Sequence, residues 1–309
     1  MSAIGFNLLY IILFTITLLP LRLLYIIADC LYFILYYVMK YRLKVVKDNI
    51  NHAFPGKSAE ERQRIEKAFY RHLADIIMES LKMIHLNPEQ LDKRMHLINP
   101  EILDKYRNSG RSIVTIGAHY GNWEWTLGIV HRLNYKTIGV YKPLNNKSFD
   151  ISLNKIRSKF GSQMVNMKEV IRVILKYNQQ KTPTFNVFVA DQSPIWQEIQ
   201  YWTPFLNQMT AVYLGPEKIA KQFDMVVLFG KVDKIERGKY TIEFILLEEN
   251  PRTSPEYEIT RKFMEVLEEI IKNKPEYWLW SHRRWKHTRN RENEESRGIF
   301  RFSEDNIRN

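Results

Sequence analysis

The hydrophobic pattern divides the chain into an apolar N-terminal stretch and a longer part in which apolar and polar positions alternate. Residues 3–21 form a run of nineteen residues without a charged side chain. A helix of that length reaches about 28 Å, close to the thickness of a bilayer core. Residues 23–39 are again mostly apolar and aromatic. We therefore predict a membrane anchor over residues 1–40, either one tilted span or a span followed by an interfacial helix.

The charges around this anchor indicate its type and its orientation. A cleaved signal peptide is the alternative to a retained anchor, but residues 1–21 contain no Lys or Arg, and no A-x-A pattern follows them. Four basic residues come directly after the apolar stretch, namely Lys40, Arg42, Lys44 and Lys47. By the positive-inside rule, this places the following domain in the cytoplasm.

The rest of the chain has the hydrophobic periodicity of an α/β protein. Ser58 followed by Glu61 is typical of a capping box and opens an amphipathic helix that continues to about Met83. Short apolar, β-branched runs that predict buried strands occupy residues 112–116, 137–141, 184–190 and 225–230. Helical patterns surround them, at residues 101–110, 122–132, 147–160, 167–178, 212–223 and 256–273.

This alternation of strands and helices predicts a parallel-rich mixed sheet flanked by helices. Arg237-Gly238 is expected to join the strand-like runs 225–234 and 240–248 as a hairpin. We assign residues 41–287 to one domain, and we predict that the charged segment 288–309 is a flexible tail.

The charge of the chain favours anionic partners. Lys and Arg number 46 against 34 Asp and Glu, which gives a formal net charge of +12. Nucleic acid, anionic lipid headgroups and an acidic carrier protein would all suit such a surface. Cys30 is the single cysteine, so no intramolecular disulfide and no cysteine-based metal site can form.

One histidine lies at a strand end, where open α/β folds bind their ligands. The spacing His-x4-Glu occurs three times, at His96, His119 and His287, so the spacing alone selects none of them. Only His119 follows a predicted buried strand, and small residues flank it. Ligands of open α/β sheets bind beyond the carboxyl ends of strands. We therefore predict a catalytic pair of His119 and Glu124, with Glu124 in the first turn of the next helix folding back towards the imidazole.

The chemistry of such a pair is general base catalysis. A neutral imidazole removes the proton of an attacking hydroxyl, which accelerates the reaction by about 10²–10⁴-fold, and a carboxylate fixes the tautomer and stabilises the imidazolium. The hydroxyl of the acceptor is then the nucleophile. No G-x-S-x-G elbow is present in the sequence.

Five ordered blocks resemble the lipid A late acyltransferases of the lauroyl and myristoyl type, within the lysophospholipid acyltransferase superfamily. The similarity extends from the apolar anchor to about Lys286. The blocks are Asn49-Ile50 with Phe54-Pro55, the segment Gly117 to Glu124 (GAHYGNWE), the segment Gly139 to Pro143 (GVYKP), Ala190-Asp191-Gln192, and the segment Tyr277 to Lys286 (YWLWSHRRWK). Lys142 replaces an Arg that is usual in the third block, which removes bidentate anion binding. Ser193-Pro194 replaces the polar residues usual after Asp191.

The resemblance implies a glycerol-3-phosphate-acyltransferase-like fold and an enzyme of the bacterial inner membrane. Such an enzyme transfers an acyl chain from acyl carrier protein, or from acyl-CoA, to a hydroxyl of a lipid A precursor on the cytoplasmic face. His119 would be the base and Glu124 its partner. Substrate-binding roles would fall to Arg157, Asp191, Tyr141 and Lys142. We expect direct transfer without an acyl-enzyme, a metal ion or a cofactor.

Three other readings differ in what the site or surface would do. The same chemistry on another anionic membrane lipid, such as a lysophospholipid, an aminolipid or a glycolipid, is the nearest. A thioester hydrolase would use the His–Glu pair on water. A non-catalytic basic protein would depend on Arg283 and Arg284 rather than on His119. The Trp residues among these basic side chains also suit nucleic acid, but together with the apolar anchor they favour a membrane surface.

Overall fold

The structure, a computed structural model, describes residues 11–287. The predicted tail 288–309 and the first part of the predicted anchor lie outside these residues. Residues 11–16 are helical, and the next helix, α1, covers Leu21–Phe33 and continues in π-helical form over Ile34–Val38. Pro20 separates the two because a proline lacks the amide hydrogen that a continuing helix needs. From residue 11 onwards, the apolar stretch is therefore divided at Pro20 into two helical segments.

Helix α1 is apolar on two faces. Leu24 and Ala28 are fully buried against the rest of the protein, whereas Leu23 and Ile26 are exposed. Among the described residues, Leu21–Val38 is the one segment long and apolar enough to cross a membrane, by length and composition. This segment lies within the predicted anchor over residues 1–40, of which residues 1–10 are outside the described part of the chain.

Eight further α-helices are present in residues 11–287. They are α2 (Leu43–Ala53), α3 (Ala59–Lys82), α4 (Pro88–Asp92), α5 (Pro100–Asn108), α6 (Lys147–Ser158), α7 (Val170–Gln179), α8 (Gly215–Phe223) and α9 (Glu258–Asn273). The predicted capping box at the start of α3 is confirmed, since Ser58 and Glu61 exchange both hydrogen bonds. The predicted helix 122–132 is instead a 3-10 helix over Trp125–Arg132. Its glycine, Gly128, packs so tightly on α4 that an added Cβ would lie 2.9 Å from Leu91.

Nine strands occur in the same part of the chain. They are β1 (Met95–Leu97), β2 (Ile113–Gly117), β3 (Lys136–Tyr141), β4 (Gln163–Asn166), β5 (Thr184–Val189), β6 (Tyr201–Phe205), β7 (Gln208–Val212), β8 (Val226–Glu236) and β9 (Lys239–Glu248). Seven of the described strands form one sheet in the order β1-β9-β8-β2-β5-β3-β4, and only the β8–β9 pair is antiparallel.

The predicted fold class, a parallel-rich mixed sheet flanked by helices, is confirmed, and so is the β8–β9 hairpin. The sequence pattern did not identify the separate β6–β7 hairpin. Its turn consists of Leu206 and Asn207, which both have positive φ, as the mirror-image turns of hairpins require. Strands β1 and β4 were also missed, because three or four residues are too few to show a period. Strand β2 lies at the centre of the seven-stranded sheet and is buried along nearly its whole length.

Candidate active site

Two adjacent parallel strands bring the principal polar residues together. Strands β2 and β5 are paired in a register that sets Gly117 opposite Val189. His119 and Asp191 each follow these partners by two residues, so they emerge side by side at the carboxyl edge of the sheet. This is the edge at which open α/β folds bind ligands.

The imidazole of His119 is held by Asp191. Nδ1 of His119 lies 2.7 Å from Oδ1 of Asp191, and the Asp191 side chain is only 2% exposed. Burial disfavours the Asp191 carboxylate, but the neighbouring His119 and the Trp278 N–H outweigh it, so the pKa of Asp191 lies below its usual value. An ionised Asp191 accepts a hydrogen bond from Nδ1–H, which leaves Nε2 of His119 as the unprotonated, basic nitrogen.

The C-terminal block fixes this pair from the other side. Trp278 donates from Nε1 to Oδ2 of Asp191 over 2.8 Å. The amide of Leu279 donates to the carbonyl of His119, and the amide of Gly121 donates to the carbonyl of Tyr277, both at 3.0 Å. The C-terminal block 277–286 therefore holds the turn that follows β2, which carries His119 and Gly121.

The sequence predicted that Glu124 folds back towards the imidazole of His119, but in the structure Glu124 pairs with Arg157. Its carboxylate forms a two-point ion pair with the guanidinium of Arg157 on α6, with 2.9 Å between Arg157 Nε and Glu124 Oε2 and a second bond from Nη2 to Oε1. Burial lowers the pKa of Arg157, but Glu124 more than compensates and the net shift is upward. The reason is the fold: β2 and β5 bring Asp191 to Nδ1 of His119, while the turn after Asn122 directs Glu124 towards α6.

Asp191, which the resemblance assigned to substrate binding, does not line the cavity. Its side chain is buried and both of its oxygens accept hydrogen bonds from protein groups. It lies behind His119, where it is placed to orient the imidazole. A burial pattern of this kind cannot be read from the sequence, where Asp191 is simply a polar residue after a strand.

A cavity of about 620 Å³ adjoins His119. The three other predicted binding residues, Arg157, Tyr141 and Lys142, line it together with Glu124. Its buried walls are largely apolar and include Ile129, Phe185, Ile242 and Phe244. An elongated apolar ligand with a reactive polar end fits this combination, because apolar walls bind by burial and the few polar groups fix orientation.

The sequence-based prediction missed several residues around the base. The side-chain amide of Gln192 lies 3.4 Å from Nε2 of His119, and the ring of Trp123 packs edge-on at 5.1 Å between centroids. His282 lines the cavity and accepts a hydrogen bond from the amide of Ser193. Burial lowers the pKa of His282 to about 4, so it is a neutral acceptor. Gln192 and His282 belong to blocks that carried the family resemblance, which was the only signal for them.

The arrangement has the parts that acyl transfer to a hydroxyl requires. A basic nitrogen faces an apolar cavity, a buried carboxylate stabilises the imidazolium, and cationic side chains lie at the cavity wall. The same parts would remove a proton from water, so the geometry does not by itself distinguish a lipid hydroxyl from water as the attacking group.

Comparison with known proteins distinguishes these possibilities. A family model described as bacterial lipid A biosynthesis acyltransferase matches residues 2–287. Similar proteins include lipid A biosynthesis acyltransferase 2 of Shigella flexneri, 21% identical over 240 residues that cover 75% of this chain and 74% of that protein. In Escherichia coli K12, the lipid A biosynthesis palmitoleoyltransferase is 21% identical over 253 residues, and the lauroyltransferase is 23% identical over 256, each covering 80% of both chains. The chain is therefore an acyltransferase and belongs to the bacterial lipid A biosynthesis acyltransferase family.

Proposed function

We propose that this enzyme transfers a fatty acyl chain from a thioester to a hydroxyl of a lipid A precursor, with His119 as the general base. The observation that carries the proposal is the contact of His119 with the buried Asp191, which leaves Nε2 as the basic nitrogen beside an apolar cavity, with the Gln192 amide 3.4 Å away. The names of the similar proteins support the lipid acceptor and the acyl donor.

The reaction follows from where the protons and bonds go. Nε2 of His119 takes the proton of the acceptor hydroxyl as its oxygen attacks the thioester carbonyl carbon. The tetrahedral intermediate then expels the thiolate, which takes the proton back from the imidazolium, so that an ester and a free thiol leave. Asp191 stabilises the imidazolium in between. The nearby cationic groups favour the negative charge of the intermediate.

In this mechanism Glu124 has a different role from the one the sequence suggested, whereas Arg157 keeps its predicted role in binding substrate. The ion pair joins the turn after His119 to α6, and both side chains line the cavity. Arg157 remains charged there and is positioned to hold a phosphate of the donor arm or of the acceptor. Lys142, which is exposed at the cavity wall, offers a second cation for an anionic headgroup.

The donor and the location complete the proposal. The donor is acyl carrier protein or acyl-CoA, and the enzyme works on the cytoplasmic face of the bacterial inner membrane. The apolar segment Leu21–Val38 and the basic residues that follow it support this location.

The test is acyl transfer with purified protein, an acyl thioester and a tetra-acylated lipid A precursor, followed by mass spectrometry. The wild type is expected to give a product one acyl chain heavier, and His119→Ala is expected to lose about 10²-fold or more of the rate. His96→Ala is the matched control, because His96 has the same spacing to a Glu but is exposed on β1. It should retain full activity.

Other outcomes would replace the proposal. Free fatty acid released at the same rate with and without acceptor would indicate a hydrolase. Transfer to a lysophospholipid but not to the lipid A precursor would move the acceptor to another membrane lipid. Full activity of His119→Ala would remove the base from the mechanism.

A further inference from the structure

A buried carboxylate that the mechanism does not use contacts the catalytic turn, the segment from His119 to Glu124. Glu79, in the last third of α3, has no solvent-exposed surface. Its Oε1 accepts a hydrogen bond from the Tyr25 hydroxyl at 2.8 Å. Its Oε2 accepts from Asn122 Nδ2 at 2.7 Å and from the Tyr240 hydroxyl at 2.8 Å. One side chain thus joins α1, the catalytic turn and β9.

Asn122 is the part of this network that lies in the active-site turn. It lies between His119 and Glu124 along the chain, and its side chain is fully buried. Its Oδ1 accepts a hydrogen bond from the amide of Trp125 at 3.0 Å. The indole Nε1 of Trp125 in turn donates to the carbonyl of Glu79 at 3.0 Å. Glu79 therefore contacts both ends of residues 122–125, with its carboxylate at Asn122 and its main-chain carbonyl at Trp125.

A second residue of α3 holds the same turn. His72 precedes Glu79 by two helical turns, so the two side chains lie on one face of the helix. Nε2 of His72 lies 3.3 Å from the carbonyl of Gly121. Burial lowers the pKa of His72 to about 3, so the ring is neutral and Nε2 is the donor. Gly121 has a φ of +59°, and a Cβ there would lie 2.8 Å from Val232, which leaves the turn little freedom to shift.

The anchor helix α1 is attached to this network at two points. Besides the Tyr25 hydroxyl on Glu79, Asp29 of α1 pairs with Arg237 at 2.6 Å. Arg237 also pairs with Asp75 of α3 at 2.6 Å. Helix α1 is thus tied to the same helix that carries Glu79 and His72.

We propose that Glu79 is a positioning residue for acyl transfer, which fixes the His119–Glu124 turn through Asn122 and makes its geometry depend on the seating of α1 through Tyr25. The proposal rests on the proposed function for its kinetic consequences. A displacement of about 1 Å in a reacting group can reduce the rate about 10²-fold. Loss of Glu79 would leave the buried amide of Asn122 without its acceptor and free the turn to move.

The kinetic test compares Glu79→Ala with Glu79→Gln in the full-length protein in detergent or lipid. A Gln oxygen still accepts from Asn122 and Tyr240, and its amide can donate to the Tyr25 hydroxyl. We expect Glu79→Ala to lower kcat about 10²-fold with little change in KM, and Glu79→Gln to restore it to near the wild-type value. Equal kcat for Glu79→Ala and wild type would overturn the proposal.

The link to α1 is tested by two matched hydroxyl deletions. Tyr25→Phe and Tyr240→Phe each remove one hydrogen bond from the same carboxylate. Only Tyr25 belongs to the anchor helix. We expect Tyr25→Phe to lower kcat several-fold and Tyr240→Phe to leave it nearly unchanged. Equal effects on kcat would remove the role of α1.

Hydrogen exchange gives a readout that needs no substrate, so a failure of the proposed acceptor is distinguishable from a failure of this proposal. Amides of residues 118–126 are expected to exchange at least tenfold faster in Glu79→Ala than in wild type and Glu79→Gln, while those of α9 keep their rates. Unchanged exchange in residues 118–126 would overturn the proposal even if the wild type transfers no acyl chain to the precursor tested.

Discussion

The substitution Asp191→Asn tests the contact on which the proposed base depends. It keeps the size of the side chain and removes one acceptor. The two neighbours of Asp191 respond differently to this change. Trp278 can only donate from its indole nitrogen, whereas the imidazole of His119 can change its tautomer. The Asn oxygen is therefore expected to face Trp278, and the Asn amide to face Nδ1 of His119.

That arrangement changes the tautomer of the His119 imidazole. An amide that donates to Nδ1 makes Nδ1 the acceptor, so the ring proton moves to Nε2, the nitrogen beside the cavity. Nε2 can then no longer remove a proton from a hydroxyl. The expected loss in kcat is about 10⁴-fold, the upper end of what a general base contributes and the size of the effect when a triad aspartate becomes Asn. KM should change little, because Asp191 does not line the cavity.

The assay combines steady-state acyl transfer with nitrogen NMR of labelled histidine. NMR should show the proton of His119 on Nδ1 in wild type and on Nε2 in Asp191→Asn. Asp92→Asn is the control, because Asp92 is also a buried aspartate in an ion pair, but its partner is Arg132 and not His119. Its kcat should match that of wild type. A kcat for Asp191→Asn within threefold of wild type, with the Nε2 proton present, would refute the assignment of His119 as the base.

Four further predictions follow from the site and its surroundings. Glu124→Gln and Arg157→Gln should each lower kcat/KM by 10-fold or more, and the double variant should be no worse than either, because they form one ion pair; additive losses would contradict this. Gly230→Val should narrow the cavity, which Gly230 lines, and shift the preferred acyl donor to a shorter chain, because each excluded methylene costs about 0.8 kcal/mol, or about fourfold in affinity. Competition between thioesters of different chain length measures this preference. An unchanged preference would show that this part of the cavity does not bind the acyl chain. Lys142→Ala should raise KM for the anionic acceptor with kcat nearly constant, and a rise of similar size for a neutral acceptor would show that charge is not the cause. Burial raises the pKa of Glu79 from 4.5 to about 7. Protonation of Glu79 therefore stabilises the folded protein at low pH, and this contribution is lost as the pH rises through the folded-state pKa, so the unfolding free energy of wild type relative to Glu79→Gln should fall by roughly 2 kcal/mol between pH 5 and pH 8. A difference independent of pH in denaturant titrations would show that this carboxyl does not titrate in that range.

The sequence by itself determined the class of fold and the position of the chemistry. Uninterrupted apolar runs such as the one before Gly117 form strands buried on both faces, and their alternation with amphipathic helices requires a parallel sheet. The order along the chain then placed His119 at a strand end, where small neighbours leave room for a ligand. These features are local, so periodicity and residue type are sufficient to show them.

Only the tertiary structure decided which carboxylate serves His119. The spacing of five residues suggested Glu124, but the partner is Asp191, 72 residues away along the chain, because β2 and β5 are adjacent in the sheet. Glu124 is engaged by Arg157 of α6 instead. The burial of Glu79 and its contact with Asn122 were likewise not evident from the sequence, since an acidic residue in an amphipathic helix is ordinarily solvated. Contacts between distant segments depend on strand order and helix packing, and no pattern along one segment contains that information.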